Sequence, residues 1–251
     1  MANEWSVIHG FPSLDDKEVH LWRIDLANAA GLAGSCASLL SSSEQADANR
    51  RRLGLVRDRF TIGRACMRLL IGNALQIDPR NVTIAKGPHG KPELPSLQEP
   101  AISFNLAHSE DTLLFALRRQ GAIGVDVEYF DRSTDIMEVA QANFTSKESD
   151  SLAAIADDHT RLRTFYRYWT RKEAIGKADG RGLLLPLASS EVSCESMNSH
   201  PVRIDESPDG ESKLYFVSDL DVADKAAAAI ALESSDSPIR TFIFPLQSLR
   251  Q

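Results

Sequence analysis

The stretch Gly121-Ala122-Ile123-Gly124-Val125-Asp126-Val127-Glu128-Tyr129 separates two parts of the chain that are predicted to contain the same kinds of elements. After Gly121, apolar and polar side chains alternate, which predicts a β-strand with its apolar residues on one face. Asp126 and Glu128 then lie on the other face, about 6.5 to 7 Å apart along the strand. Two such carboxylates can bind one hard cation, although an exposed acidic strand face would give the same pattern.

The part before Gly121 is predicted to contain one long helix among strands. The apolar stripe of this helix recurs at steps of three and four residues, through Leu53, Val56, Phe60, Gly63, Met67, Leu70 and Ala74. Strands are predicted at residues 19–26, 101–106 and 112–118. The last two strands, together with residues 122–129, predict an antiparallel meander.

The part after Gly121 also combines helices with strands. Thr145 and Glu148 have the spacing of a capping box at a helix start, and a longer helix predicted at residues 160–177 ends before Gly180. A further helix is predicted at residues 135–142, and strands are predicted at residues 213–217, 226–232 and 239–244. The order of elements predicts an α+β fold of two similar α/β halves, residues 1–120 and residues 121–251.

Composition narrows the classes of function. The 251-residue chain carries a net charge of −7 at pH 7, which argues against nucleic-acid binding. Eight arginines and only two acids lie between Asn49 and Arg80, and such a basic patch suits a phosphorylated small ligand or an acidic protein partner. No apolar run approaches the roughly 20 residues of a membrane span and no signal pattern begins the chain, so a cytoplasmic protein without a membrane partner is expected. The three separated cysteines predict neither a disulfide framework nor a zinc site.

A second segment with chemical potential is the end of the helix predicted at residues 160–177. Trp169, Glu173 and Lys177 follow one another at intervals of four, which places them along one helical face. An ordinary surface ion pair beside a core tryptophan has the same spacing. This segment alone therefore does not distinguish a site from a stabilised helix surface.

A third segment, Phe104-Asn105-Leu106-Ala107-His108-Ser109, places a histidine among small polar residues at a strand end. A single histidine there is more often structural than functional. The sequence contains no Gly-x-Ser-x-Gly elbow, no Walker A loop and no Gly-x-Gly-x-x-Gly loop. Serine hydrolases and the common nucleotide-binding folds are therefore not indicated.

The three segments occur together, in one order, with Gly90-Lys91-Pro92 before them and Gly180-Arg181-Gly182-Leu183 after them. In this arrangement the chain resembles the Sfp-type 4'-phosphopantetheinyl transferases, from about Arg50 to Leu187. The resemblance implies a monomer of two similar halves related by a pseudo-twofold axis. It also implies that coenzyme A and Mg²⁺ bind in the cleft between the halves.

The resemblance implies a role for each acidic residue. Asp126, Glu128 and Glu173 match the residues that hold Mg²⁺, and carboxylate oxygens suit this small, hard cation. Lys177 matches a lysine that acts near the pyrophosphate, with Lys172 a weaker match. Asp126, Glu173 and Lys177 are thus the expected catalytic residues, and either Glu173 or a metal-bound water is expected to take the proton of the attacking serine.

Four basic residues are implied to contact coenzyme A, in addition to Lys177. Lys91 and His108 match positions that contact its phosphates, with His108 on the side of the ribose 3'-phosphate. Arg59 and Arg64 lie where the family has basic residues near the same nucleotide. Ala107 departs from the family pattern, which usually has a serine there, and the loss of a hydroxyl contact could cost about 1 kcal/mol of binding.

The implied activity is Mg²⁺-dependent transfer of the 4'-phosphopantetheine group of coenzyme A to a serine of an apo acyl or peptidyl carrier protein. The products would be the holo carrier and 3',5'-ADP. Two alternatives remain at this point: a non-catalytic homologue that binds coenzyme A or a carrier, and a Mg²⁺-dependent nucleotide phosphohydrolase. The carrier would be a transient partner, and carriers are typically acidic around the modified serine.

Overall fold

The computed structural model describes residues 4–29, 31–87, 92–95, 101–196, 198–205 and 211–250. Within them the strands are β1 Ser6–Val7, β2 Val19–Asp25, β3 Ala85–Lys86, β4 Pro92–Glu93, β5 Ser103–Ser109, β6 Thr112–Arg118, β7 Ile123–Tyr129, β8 His200–Ile204, β9 Lys213–Asp219, β10 Ala226–Leu232 and β11 Ile239–Ile243. The α-helices are α1 Ala33–Cys36, α2 Ser42–Asn49, α3 Gly54–Leu75, α4 Ile136–Asn143, α5 Ser146–Ala153 and α6 Asp158–Asp179. Short 3-10 helices follow several of these elements. This content confirms the predicted α+β class.

The strands form two main sheets and one small hairpin. The first sheet has the order β1-β11-β2-β6-β5, the second has the order β7-β10-β9-β8, and β3 pairs with β4. The predicted hairpin of β5 and β6 is present, but the predicted meander is wrong in its third strand. β7 is not part of the first sheet. It pairs antiparallel with β10, more than ninety residues later in the chain. The alternation of side chains predicts which face of a strand is buried, but it does not determine which strand lies next to it.

The two sheets pack face to face, and each carries a 22-residue helix on its outer side. Alternation along β6 shows the layers: Phe115 packs toward α3 in the first core, while Leu114 lies in the core between the sheets. Along β7, Val125 and Val127 enter the same central core. Their neighbour Asp126 must therefore face α6, because successive side chains point to opposite faces.

The two long helices have identifiable ends. α3 buries the second half of the apolar stripe predicted for it, Met67, Leu70 and Ala74, whereas Leu53 and Val56 at its start are exposed. The helix ends where Gln76 adopts a left-handed backbone conformation. The N-cap of α6 is Asp157, whose side chain accepts a hydrogen bond from Thr160 N, and its C-cap is Gly180 with φ of +95°. The predicted capping box of Thr145 and Glu148 is present at the start of α5. No helix among the described residues is long and apolar enough to cross a membrane.

The division into residues 1–120 and 121–251 stays a prediction. Most of each main sheet does come from one side of Gly121. The last strand, β11, is an exception, because it pairs in parallel with β1 and β2 of the first sheet. The C-terminal end of the chain thus returns to the sheet in which the chain begins.

Candidate active site

Gly124 controls the distance between β7 and α6. A Cβ atom at this position would lie 2.5 Å from Ala178 N and closer still to Ala174 O, so no larger residue fits without moving the helix. Gly176 plays a similar part on the opposite side of α6, where an added Cβ would lie 2.7 Å from Gly182 O. The close approach at Gly124 brings the acidic face of β7 against the helix face that carries Glu173 and Lys177.

Asp126 and Lys177 form the central ion pair of this contact. Lys177 Nζ donates to Asp126 Oδ1 at 2.7 Å and to the backbone oxygen of Val125 at 3.2 Å. The Asp126 side chain is 5% exposed, whereas the Lys177 side chain is 25% exposed. The Lys177 ammonium group therefore pairs with the buried Asp126 carboxylate and also reaches the more exposed side of the contact between β7 and α6.

Asp126 and Glu173 each keep a buried oxygen without a partner. Asp126 Oδ2 and Glu173 Oε1 accept no hydrogen bond within the described protein. Burial raises the pKa of Asp126 to about 7 despite the opposing charge of Lys177, and the charges of Glu128 and Glu173 raise it further. Burial is also the largest cause that raises the pKa of Glu173, with Glu128 adding to it. The three carboxylates therefore interact electrostatically, in a part of the structure with little access to water.

Glu128 lies at the half-buried end of the same strand face. Its Oε2 accepts a hydrogen bond of 3.0 Å from Ser109 Oγ, and Ser109 Oγ itself accepts one of 3.1 Å from Tyr129 N. Ser109 follows His108 in the sequence, but nothing in its local pattern indicates a role for it. The contact joins residues of different sheets, so neither periodicity nor spacing could have indicated it.

The donor set fits a small, hard cation. Among the residues that the structure describes, no three His, Cys, Asp or Glu side chains already enclose a metal position. Buried anionic oxygens without partners are costly, however, and such groups are found paired, protonated or bound to a metal. The two unpartnered oxygens of Asp126 and Glu173 are ligands that suit such a cation. Glu128 is close enough for its charge to raise the pKa of Asp126, so its carboxylate belongs to the same donor set.

A cavity of about 490 Å³ lies between α3 and the face of β5 that carries Leu106 and His108. It is lined by His108, Arg51, Arg59, Phe60 and Arg64, along with further side chains. His108 is exposed in this cavity. It points to the opposite face of β5 from Ser109, because successive side chains of a strand alternate. The cavity therefore brings together three of the residues that the sequence analysis linked to a phosphorylated ligand.

The arginines of this cavity are held in place by neighbours. Arg59 pairs with Asp111, and the guanidinium groups of Arg51 and Arg64 lie 3.6 Å and 5.1 Å from the centre of the Phe60 ring. Burial lowers the pKa of Arg64, which indicates a guanidinium with little surrounding water. Poorly hydrated arginines in a cavity favour an anionic ligand.

Three further predictions from the sequence concern Lys91, Lys172 and Ala107. Lys91 is outside the described residues, so its contact with a phosphate stays a prediction. Lys172 was a weaker candidate for the pyrophosphate, but its Nζ is buried on another face of α6, where it pairs with Glu148 at 2.9 Å and donates to two backbone oxygens. Ala107 lies in the core between the sheets, so the effect of the missing hydroxyl also stays a prediction.

The comparisons with known proteins agree with this geometry. A sequence model of the 4'-phosphopantetheinyl transferase superfamily matches residues 122–231, which include β7 and α6. The 4'-phosphopantetheinyl transferase HetI of Nostoc sp. is 34% identical over 216 residues, which make up 86% of this chain and 87% of HetI. The chain belongs to the 4'-phosphopantetheinyl transferase superfamily.

Other members of the superfamily match shorter parts of the chain. The 4'-phosphopantetheinyl transferase Sfp of Bacillus subtilis is 32% identical over 160 residues, or 63% of this chain and 66% of Sfp. The human L-aminoadipate-semialdehyde dehydrogenase-phosphopantetheinyl transferase is 28% identical over 144 residues, or 54% of this chain and 47% of that protein. This chain is accordingly an enzyme that transfers the phosphopantetheine group of coenzyme A to carrier proteins.

Proposed function

We propose that this phosphopantetheinyl transferase depends on Mg²⁺ held by Asp126, Glu128 and Glu173. The observation that carries the proposal is the pair of buried, unpartnered oxygens, Asp126 Oδ2 and Glu173 Oε1. Burial without a cation raises the pKa of both groups, so the folded protein supplies carboxylates that a cation would stabilise in the ionised form. The bound cation would stabilise the negative charge that develops on the pyrophosphate oxygens.

Lys177 has a separate part in the proposed site. Its ammonium group is held 2.7 Å from Asp126 Oδ1 and reaches the less buried side of the contact. There it can hold Asp126 ionised and also attract the pyrophosphate of coenzyme A, because a lysine ammonium has three hydrogens to donate. Glu173 is positioned on the same helix, one turn earlier, and its raised pKa suits the acceptance of the serine proton.

The cavity beside α3 is the proposed site of the 3'-phosphoadenosine part of coenzyme A. Its volume of about 490 Å³ suits a nucleotide. We propose that His108 and Arg64 contact the phosphates from the cavity walls, with Arg59 oriented by Asp111. Lys91 belongs to the same proposed set on the resemblance alone.

The enzyme is proposed to act as a cytoplasmic monomer, with residues 1–120 and 121–251 as its two halves. The carrier serine would reach the contact between β7 and α6 and attack the phosphorus next to the pantetheine, with 3',5'-ADP leaving. The contact between β5 and β7, which are the adjoining edge strands of the two sheets, supports a site shared by both halves. An acidic carrier must then bind a local basic or apolar surface of this acidic enzyme.

The experiment that tests the metal assignment compares charge-neutral variants of the three carboxylates. Asp126→Asn, Glu128→Gln and Glu173→Gln should each fold and should lose transfer by about 100-fold, because each removes a charged ligand of the cation that would stabilise the reacting phosphate. Release of 3',5'-ADP in the presence of apo carrier measures the rate. The exposed Glu195→Gln serves as the control and should match the wild type.

Metal-dependent stability gives an independent measure. Mg²⁺ should raise the midpoint of thermal unfolding of the wild type and of Glu195→Gln, because a ligand that binds only the folded state stabilises it. The three carboxylate variants should show a smaller rise or none. Wild-type transfer in the presence of excess chelator, or unchanged transfer in all three variants, would contradict the proposal.

A further inference from the structure

The two main sheets meet along the edges of β5 and β7. Each strand is the last of its sheet among the described residues. Two side chains of β5 cross this boundary: Asn105 Oδ1 accepts from Val125 N at 2.9 Å, and Ser109 Oγ accepts from Tyr129 N at 3.1 Å. Both contacts join residues that are 20 apart in the sequence. The side chains of one strand thus fix the register of the other, on either side of Asp126.

Ser109 differs from Asn105 because it also contacts an acidic side chain of the site. The hydroxyl has one hydrogen and two lone pairs. One lone pair accepts from Tyr129 N, and the hydrogen is donated to Glu128 Oε2 at 3.0 Å. The backbone N–H therefore fixes the side on which the hydroxyl accepts, which leaves its hydrogen directed at the carboxylate.

We propose that Ser109 is a positioning residue, which orients the Glu128 carboxylate for the cation and links the first sheet to the metal-binding strand of the second. This inference rests on the proposed role of Glu128 as a metal ligand. Glu128 is only half-buried, and an unrestrained glutamate there can adopt several rotamers. A hydrogen bond to one carboxylate oxygen restricts these rotamers and leaves the other oxygen for the cation.

The alternative is that Ser109 only stabilises the contact between the sheets. Thr112 and Tyr129 provide the comparison, since Thr112 Oγ1 and Tyr129 OH form a hydrogen bond of 3.0 Å across the same boundary. This bond does not involve Glu128. Thr112→Val removes it with little change in side-chain shape, so this variant reports what the loss of a cross-sheet hydrogen bond does by itself.

The test is the affinity for Mg²⁺, measured by calorimetric titration into the full chain saturated with coenzyme A, with coenzyme A alone as the blank. Ser109→Ala should weaken Mg²⁺ binding about tenfold, because groups that orient a metal ligand typically contribute that much. Ser109→Thr keeps the hydroxyl and should restore binding. Thr112→Val should lose thermal stability but bind Mg²⁺ as the wild type does. Equal weakening in Ser109→Ala and Thr112→Val would overturn the proposal.

A double-mutant cycle with Glu128→Ala separates this inference from the proposed function. If Ser109 acts through Glu128, Ser109→Ala should weaken Mg²⁺ binding in the wild type but add nothing when Glu128 is already absent. Weak binding in Glu128→Ala with normal binding in Ser109→Ala would overturn the role of Ser109 alone. Normal binding in Glu128→Ala would overturn the metal role of Glu128, and the role of Ser109 with it.

Discussion

His108 and Ser109 are neighbours in the sequence but belong to different parts of the site. Because successive side chains of a strand point to opposite faces, His108 lines the cavity beside α3 while Ser109 contacts Glu128. One strand therefore connects the proposed nucleotide cavity with the proposed metal site. The separate environments of the two residues allow their contributions to be measured independently.

His108→Ala should raise the KM for coenzyme A about tenfold while changing kcat less, because a lost hydrogen bond to a charged group weakens binding by that order. Steady-state kinetics with varied coenzyme A measure the change. The matched probe is 3'-dephospho-coenzyme A, which should bind the wild type and His108→Ala alike. A variant penalty of the same size with both substrates would rule out the 3'-phosphate as the partner of His108.

A histidine far from the site makes the folded state sensitive to acid. His20 on β2 is 2% exposed, lies 3.2 Å from Glu18 and packs against the Phe242 ring. Burial is the largest cause that lowers its pKa, against the opposing effect of Glu18. Above pH 6.5 the ring is neutral in both states. Below that pH the unfolded chain binds a proton that the folded protein excludes, so the free energy of unfolding falls as the pH falls toward the lower folded pKa.

His20→Gln should reduce this loss of stability below about pH 6.5, because glutamine has no proton to gain. Urea unfolding at a series of pH values, with and without the substitution, measures the difference. The exposed His159→Gln is the control and should follow the wild-type profile. Parallel profiles for the wild type and His20→Gln would mean that other groups cause the acid sensitivity.

At the scale of elements, the close approach of β7 to α6 determines the geometry of the site. Gly124 provides the space, and the four-residue spacing of Glu173 and Lys177 then directs both side chains at the strand. Both features could be predicted from the sequence as elements: an alternating strand and a helix with two functional residues on one face. Their contact could not, because no local signal relates β7 to a helix that begins nearly thirty residues later.

Gly124→Ala should destabilise the protein by about 3 kcal/mol, because the added methyl group must displace α6 from the strand. It should also impair transfer, since Lys177 moves with the helix. Urea unfolding gives the change in stability. The control is Gly34→Ala in α1, where an added Cβ meets nothing within 4 Å, and its effect should stay within about 0.5 kcal/mol. Similar stabilities for the two variants would show that the helix tolerates the shift.

The basic patch predicted between Asn49 and Arg80 is not uniformly available to a ligand. Arg68 belongs to this stretch of the sequence. It is buried, donates to Glu44 at 2.6 Å and satisfies backbone oxygens of the segment after α3. A buried ion pair of this kind depends on a partner from another helix, α2, which the periodicity of α3 alone cannot show.

At the scale of the whole molecule, three apolar cores within the described part of the chain connect the site to the rest of the fold. One lies between α3 and the first sheet, one between α6 and the second sheet, and the third between the two sheets. The α+β class and the approximate position of most strands could be predicted from the sequence. The layer between the sheets could not, because it depends on β7 changing sheets and on β11 returning to the first one.

We expect the enzyme to transfer phosphopantetheine only with a cation held between β7 and α6. The most direct measurement is the intact mass of an apo acyl carrier protein after incubation with the enzyme, coenzyme A and Mg²⁺, beside a chelated sample and a sample with Glu173→Gln. We expect a mass gain of one phosphopantetheine in the first sample and none in the other two. An equal gain in all three samples would contradict the proposed role of the cation.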